Sequence, residues 1–167
     1  MSLNTIQIPA IILKDLYKVH LVDLTPGNSN LTPAATPTIP VLGNNRKKIT
    51  LIVNDPDSIY LPDEELNFLL GILTACKLSM ADIALLNYPK NPGITYREIF
   101  QQLAADKVIL LGVSPAELQL PLEFPYYQLQ QFNNQTYLYS PPLRTIREDK
   151  AEKTKLWACL KKLFAIP

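Results

Sequence analysis

Cysteine is scarce in this chain: there are two, Cys76 and Cys159, far apart and both inside helical patterns. Neither has the spacing of a metal-ligand set or a redox dithiol, which excludes a disulfide framework and leaves two reduced core cysteines of an intracellular protein. Charge of one sign is also missing. Sixteen Lys and Arg face fifteen Asp and Glu, for a net charge of +1, so no global field argues for nucleic acid. No apolar run reaches the length of roughly 20 residues that a membrane helix needs. No charged n-region followed by an apolar h-region opens the chain, so the cytoplasm is the expected location. Nothing in the pattern calls for a cofactor or a metal. With 167 residues and an apolar share of 47%, the chain suits one ordinary globular domain with an appended arm.

What is present is a set of strands that end on polar residues. Ile49-Thr50-Leu51-Ile52-Val53 reads as a strand covered on both faces, followed by Asn54, Asp55 and Pro56. Pro56 has no N–H to give a ladder, so the strand must stop there. Ile83-Ala84-Leu85-Leu86-Asn87 ends in the same way before Tyr88-Pro89, and Thr136 to Ser140 ends before Pro141-Pro142. In open α/β sheets the carboxyl ends of the strands are where sites are built. Asp55, Asn87 and Ser140 are therefore the candidates for one shared rim.

Helical patterns separate these strands. Pro62, followed by Asp63, Glu64 and Glu65, suits a helix N-terminus, and Leu66, Leu69, Leu70, Leu73 and Cys76 give that helix an apolar face. Thr95 with Glu98 is a capping-box pattern opening a second helix over Ile99, Phe100 and Leu103. Lys107 to Gly112 reads as a strand and Gln135 to Tyr139 as the fourth core strand. Pro121 to Phe132 reads as irregular, with a short edge strand at Tyr126–Leu129. A last helix is expected from Thr145 to Phe164. Alternating strands and helices imply right-handed crossovers. The expected fold is a three-layer α/β/α domain over 49–167 with a four-stranded, mainly parallel sheet.

Residues 1–48 read as an N-terminal arm and Pro-rich linker. Leu24 to Gly43 holds Pro26, Pro33, Pro37 and Pro40 among Thr, Asn and Gly. Ahead of it, Ile11 to Leu24 carries Leu13, Leu16, Tyr17, Val19, Leu21 and Leu24. Two readings stand side by side: the segment packs back on its domain, or it docks on a partner as linker-tethered apolar segments do.

The order of strand-end motifs resembles the uracil-DNA glycosylase-like fold. Asn54-Asp55-Pro56 is similar to the Gln-Asp-Pro of those enzymes, whose Asp positions the attacking water. Leu85-Leu86-Asn87 matches their Leu-Leu-Asn, whose Asn reads the uracil edge. The resemblance then departs. The family's His-Pro-Ser-Pro motif supplies a His that stabilises the departing base, and Ser140-Pro141-Pro142 stands in its place. The only histidine, His20, precedes the domain. The family's long Gly- and aromatic-rich segment after the first strand is replaced by Asp57 to Leu61, with Tyr60 the one aromatic ring, so there is little material for the snug stacked pocket a flipped base needs.

A non-enzymatic group of that fold is more similar: the psi subunits of the bacterial DNA polymerase III clamp-loader complex. Leu51-Ile52-Val53-Asn54-Asp55 resembles their first strand. Ser140-Pro141 through Leu143, then Arg147, Ala151 and Leu156-Trp157, resembles their ending, and they too carry an N-terminal arm. The resemblance covers about two thirds of the chain and is weak between Ile94 and Gln135. It implies a non-catalytic replication accessory, a scaffold docking to a clamp loader or other replication protein through Leu13, Leu16, Tyr17, Val19, Leu21 and Leu24, with little direct contact to nucleic acid. The alternative is a divergent uracil-DNA glycosylase-type repair enzyme using Asp55 and Asn87. A third reading is a protein that kept the fold alone.

On the residues themselves, Asp55 and Asn87 read first as turn formers. Ser140 cannot supply the charge stabilisation that an imidazolium gives a leaving anion. The expectation is thus a vestigial rim at Asp55, Asn87 and Ser140. Trp157 falls on a helix's apolar face and is expected in the core. Lys150, Lys153, Lys155, Lys161 and Lys162 read as a solvated face, with phosphate contact the sharper alternative. Phe124, Tyr126 and Tyr127 form either a docking surface or a packed loop.

Overall fold

The computed structural model describes residues 38–167. Five strands, β1 (Ile49–Val53), β2 (Ile83–Asn87), β3 (Lys107–Leu111), β4 (Leu129–Phe132) and β5 (Gln135–Ser140), form one sheet in the order β2-β1-β3-β5-β4. The helices are α1 (Asp63–Ala75), α2 (Tyr96–Leu103), α3 (Leu143–Glu148) and α4 (Lys150–Leu163). The first four strands in the order are parallel, and β4 is antiparallel to β5.

Three expectations need correction. The sheet is five-stranded and mixed, not four-stranded. The edge strand is Leu129–Phe132 rather than Tyr126–Leu129, because Asn133 and Asn134 sit at φ 51° and 60° and close a two-residue hairpin that sets the register Leu129↔Leu138. The last helix is also two helices. Asp149 leaves the helical region at φ −110°, ψ 119°, and its Oδ1 accepts from the Ala151 N–H at 2.7 Å, starting α4 afresh.

Strand alternation divides the core between the two faces. Ile49, Leu51 and Val53, with Ile83, Leu85, Ile109 and Leu111, pack under α1, α3 and α4 through Leu69, Leu73, Ile146, Leu156 and Leu160. Ile52, Leu86, Val108, Leu110 and Tyr137 pack on the other face against Ile99 of α2 and against Val113, Leu118 and Phe124 of the chain leading to β4. The Thr95 capping box forms as the sequence suggests: the Thr95 N–H donates to Glu98 Oε2 at 2.7 Å, and the Glu98 N–H donates to Thr95 Oγ1 at 3.4 Å.

The last residues of the segment read as arm and linker are packed on the domain. Ile39 is buried in the α2-side core, and its N–H donates to Gln102 Oε1 at 2.8 Å. Leu42 exchanges both backbone hydrogen bonds with Leu85 of edge strand β2. Leu13, Leu16, Tyr17, His20, Val19, Leu21 and Leu24 lie outside the described residues. No helix among the described residues is long and apolar enough to cross a membrane.

Gly71 lies in the middle of α1, and a Cβ built there meets nothing within 4 Å. Gly71→Ala therefore removes only the backbone entropy penalty. It should raise stability by about 0.5–1 kcal/mol, read as a higher urea midpoint with an unchanged m value.

Candidate functional site

Register places the candidate rim. Val53 pairs with Asn87 on one side and with Leu111 on the other, and Leu111 pairs with Ser140. The strand ends are therefore level. Asn87 and Ser140 are nonetheless three strands apart, about 14 Å at roughly 4.8 Å per spacing. Asp55 follows Val53 and meets Asn87 directly. Two of the three candidates thus come together and Ser140 does not.

Asn87 is 1% exposed, and every polar function of its side chain is taken. Its Nδ2 donates to the carbonyls of Asp55 at 2.7 Å, Ser58 at 2.9 Å and Ile59 at 3.2 Å, while its Oδ1 accepts from the Asp55 N–H at 3.0 Å. The Asp55 carboxylate turns back on its own loop, with Oδ1 accepting from the N–H groups of Asp57 at 2.9 Å and Ser58 at 3.2 Å. These contacts wind residues 55–59 into a plug over the end of β2. Lys90 Nζ donates to the Pro56 carbonyl at 2.8 Å, Asn91 Nδ2 to the Asn87 carbonyl at 2.9 Å, and Asn54 Nδ2 to the Gly112 carbonyl at 3.1 Å. Ser140 is fully buried, and its hydroxyl donates to the Leu110 carbonyl at 3.2 Å. At Gly112, φ is +81° and a Cβ would come within 2.7 Å of Pro142 Cγ, so the exit of β3 needs the missing side chain.

The electrostatics of the rim are acidic. Asp55, Asp57, Asp63, Glu64 and Glu65 fall within a dozen residues that contain no Lys or Arg, and Lys90 at the Pro56 carbonyl and Arg147 at Glu64 offset part of that charge. Burial, reinforced by the nearby Asp55 charge, pushes the Glu65 carboxyl above its usual range. Among the described residues no group of His, Cys, Asp and Glu side chains is arranged to hold a metal ion.

Clefts of about 450, 400 and 300 Å3 lie elsewhere. One runs between α1 and α4, one lies at the β4–β5 hairpin tip, and one lies between α1 and Leu42 to Asn44. Asp55, Asn87 and Ser140 line none of the three. Trp157, expected in the core, is only partly buried and forms a wall of the α1–α4 cleft. Of the lysine face, Lys155 pairs with Glu152 at 2.8 Å, and the Lys153 and Lys161 ammonium groups lie over the rings of Phe68 and Trp157. A signal for that cleft was present in the sequence: α1 is apolar over more than one face, including Phe68 and Ile72, which a single-face reading omits.

Phe124, Tyr126, Tyr127 and Tyr139 form a connected aromatic cluster, with Tyr126 and Tyr139 centroids 4.4 Å apart. Cys159 Sγ donates to the Tyr127 carbonyl at 3.1 Å, and burial pushes both free thiols up. Desolvation holds the Tyr127 phenol well above its ordinary value, helped by its bond to Glu152, and pushes Tyr137 and Tyr139 up to about 12. An acid whose pKa is raised by folding contributes stability that is whole below its unfolded value near 10 and is lost as pH rises toward 12. Absorbance at 295 nm should show fewer tyrosines ionised at pH 11 in the folded chain than in urea, with stability falling from pH 10 upward.

The fold and rim define a class: an α/β domain whose strand-end edge is closed by its own hydrogen-bonded loop. No family model matches the chain, and no curated protein matches it.

Proposed function

We propose that this protein is a non-catalytic docking scaffold similar to the psi subunit of bacterial DNA polymerase III, working in the cytoplasm and joining a clamp loader to another replication protein. The observation that carries this reading is the saturation of Asn87. Its amide is spent on three carbonyls and one N–H of the 55–59 loop, leaving nothing to read a base edge. Three further features support it. Ser140 offers a buried hydroxyl where a glycosylase needs an imidazole. The five carboxylates of residues 55–65 outnumber Lys90 and Arg147 beside them, and that excess of negative charge disfavours a phosphate backbone, which is bound by neutralising cations. The apolar residues Leu13, Leu16, Tyr17, Val19, Leu21 and Leu24 precede a Pro-rich stretch, the layout of a tethered docking segment. The strand ends Asn54-Asp55-Pro56 and Leu85-Leu86-Asn87, adjacent in a parallel pair, support a three-layer arrangement of the uracil-DNA glycosylase-like kind.

The test is recovery of the tagged full-length chain from its native cell. Clamp-loader subunits should co-purify and should be lost from Leu16→Asp with Leu21→Asp. Incubation with uracil-containing single- and double-stranded DNA should release no base. Release that disappears in Asp55→Ala would overturn the scaffold reading in favour of a divergent glycosylase.

A further inference from the structure

Helix α1 is too apolar for its surroundings. Leu66, Phe68, Leu69, Leu70, Ile72 and Leu73 crowd two turns, yet only Leu69 and Leu73 are buried; Leu66 and Leu70 line the cleft beside Leu42, and Phe68 and Ile72 face α4. A helix apolar around most of its circumference belongs inside a larger assembly. Beside it, α1 and α4 enclose a groove of about 450 Å3. Ile72, Leu156 and Leu160 line it together with Phe68 and Trp157, and Gly71 leaves it open.

The charges that rest on this groove's aromatic walls are cationic. Lys153 is the single charged residue in the lining, and its Nζ lies 5.6 Å from the Phe68 ring. Lys161 Nζ lies 5.7 Å from the ring of Trp157. Among the described residues neither lysine has a carboxylate within ion-pair distance, since Glu152 is taken by Lys155 and Glu64 by Arg147. Two cations resting on aromatic faces over an apolar floor are complementary to an apolar stripe flanked by carboxylates. The stretch of α1 from Asn67 to Ala75 is about 12 Å long at 1.5 Å per residue. That length accommodates two turns of a second helix, with apolar anchors at i, i+4 and i+7.

We propose that the α1–α4 groove docks an amphipathic helix of a partner protein, its apolar stripe seated on Ile72, Leu156 and Leu160 and its carboxylates meeting Lys153 and Lys161. This rests on the scaffold reading and adds to it a second docking surface, on the folded domain and apart from the Leu13–Leu24 segment.

Trp157 is the only tryptophan of the chain, so its emission reports occupancy of the groove. The full-length protein is titrated with two designed helical peptides that share one leucine stripe. One is flanked by Glu and the other by Lys. The Glu-flanked peptide should shift Trp157 emission to the blue and saturate. Its binding should weaken about fivefold in Lys153→Ala with Lys161→Ala, the size of two exposed charge pairs. It should be lost in Gly71→Leu, whose added side chain starts in open space and enters the groove, with circular dichroism showing the fold retained.

Equal affinity for the two peptides, or no emission change with either, would overturn the proposal. A red shift of Trp157 emission on Leu16→Asp without peptide would show the chain's own segment in the groove instead. Dimerisation by sedimentation that Gly71→Leu abolishes would assign the groove to a second copy. Clamp-loader recovery with the Gly71→Leu chain separates the two ideas: recovery together with failed peptide binding removes only the groove, and peptide binding without any loader removes only the clamp-loader reading.

Discussion

Asn87→Ala is expected to destabilise the domain by about 3 kcal/mol, which for a chain of this size lowers the melting temperature by roughly 10 °C. The substitution removes the partner of three carbonyls and one N–H in the 55–59 loop. Each lost bond is worth about 0.5–1.5 kcal/mol, and groups left buried without a partner cost more. The half-exposed loop regains some water, which holds the sum below four full penalties. Asn87→Asp should cost at least as much, because a carboxylate oxygen would replace the only donor facing three acceptors. The readout is a urea melt with activity assays alongside. An asparagine kept for reading a base would behave in the opposite way, with stability little changed and base release lost. A loss smaller than 1 kcal/mol in both variants would remove the clamp role assigned to this residue.

Gly43→Ala should be comparably damaging, by about 3 kcal/mol, for a reason of geometry rather than polarity. Gly43 sits at φ +108°, and a Cβ there would fall 2.2 Å from the Ile83 carbonyl oxygen and 2.5 Å from that of Met80. Both obstacles are backbone, so the strap must move rather than a side chain. The strap is what covers the edge of β2. Leu42 exchanges bonds with Leu85 at 2.8 and 2.9 Å, and the N–H groups of Asn45, Arg46 and Lys47 donate to the Ile83, Ala81 and Asp82 carbonyls. Displacing it forfeits several backbone bonds at about 1 kcal/mol each and bares an edge strand, the template on which chains aggregate. Hydrogen exchange at the Leu85 amide should accelerate in the variant, and soluble yield should fall. Unchanged exchange at Leu85 would mean the strap tolerates the shift.

Much of the fold was legible because its signals are local. β1, β2 and β3 are largely apolar runs stopped by proline, a polar residue or glycine, β5 is a short tyrosine-rich run stopped by Pro141, and the Thr95 capping box needs only two residues three apart. What escaped depended on how neighbouring segments pair and pack, which their residue types alone do not state. Leu129-Gln-Gln-Phe132 has little strand character of its own and becomes a strand because the Asn133-Asn134 turn lays it on β5. The break at Asp149 has the residue type of a cap, but a helical pattern runs through it. Its use as a cap lets α3 bury Leu143 and Ile146 while α4 buries Leu156 and Leu160.

The rim divides along the same line. Residue types alone determined that Asn54-Asp55-Pro56, Leu85-Leu86-Asn87 and Ser140-Pro141 lie at strand ends, because Pro56 cannot continue a ladder and apolar runs cannot extend into polar ones. They also determined that no histidine stands there. Only the tertiary structure decided that Asn87 is an internal clamp, since the same amide in the same register is free to face a ligand unless a loop of the right length brings three carbonyls over it. Residue type likewise made α1 apolar over more than one face, while the packing of α1 beside α4 decided that Phe68 and Ile72 line a groove with Lys153 and Lys161 above it. Periodicity states how much apolar surface a helix carries. Which part of it stays uncovered depends on the elements that fold against it.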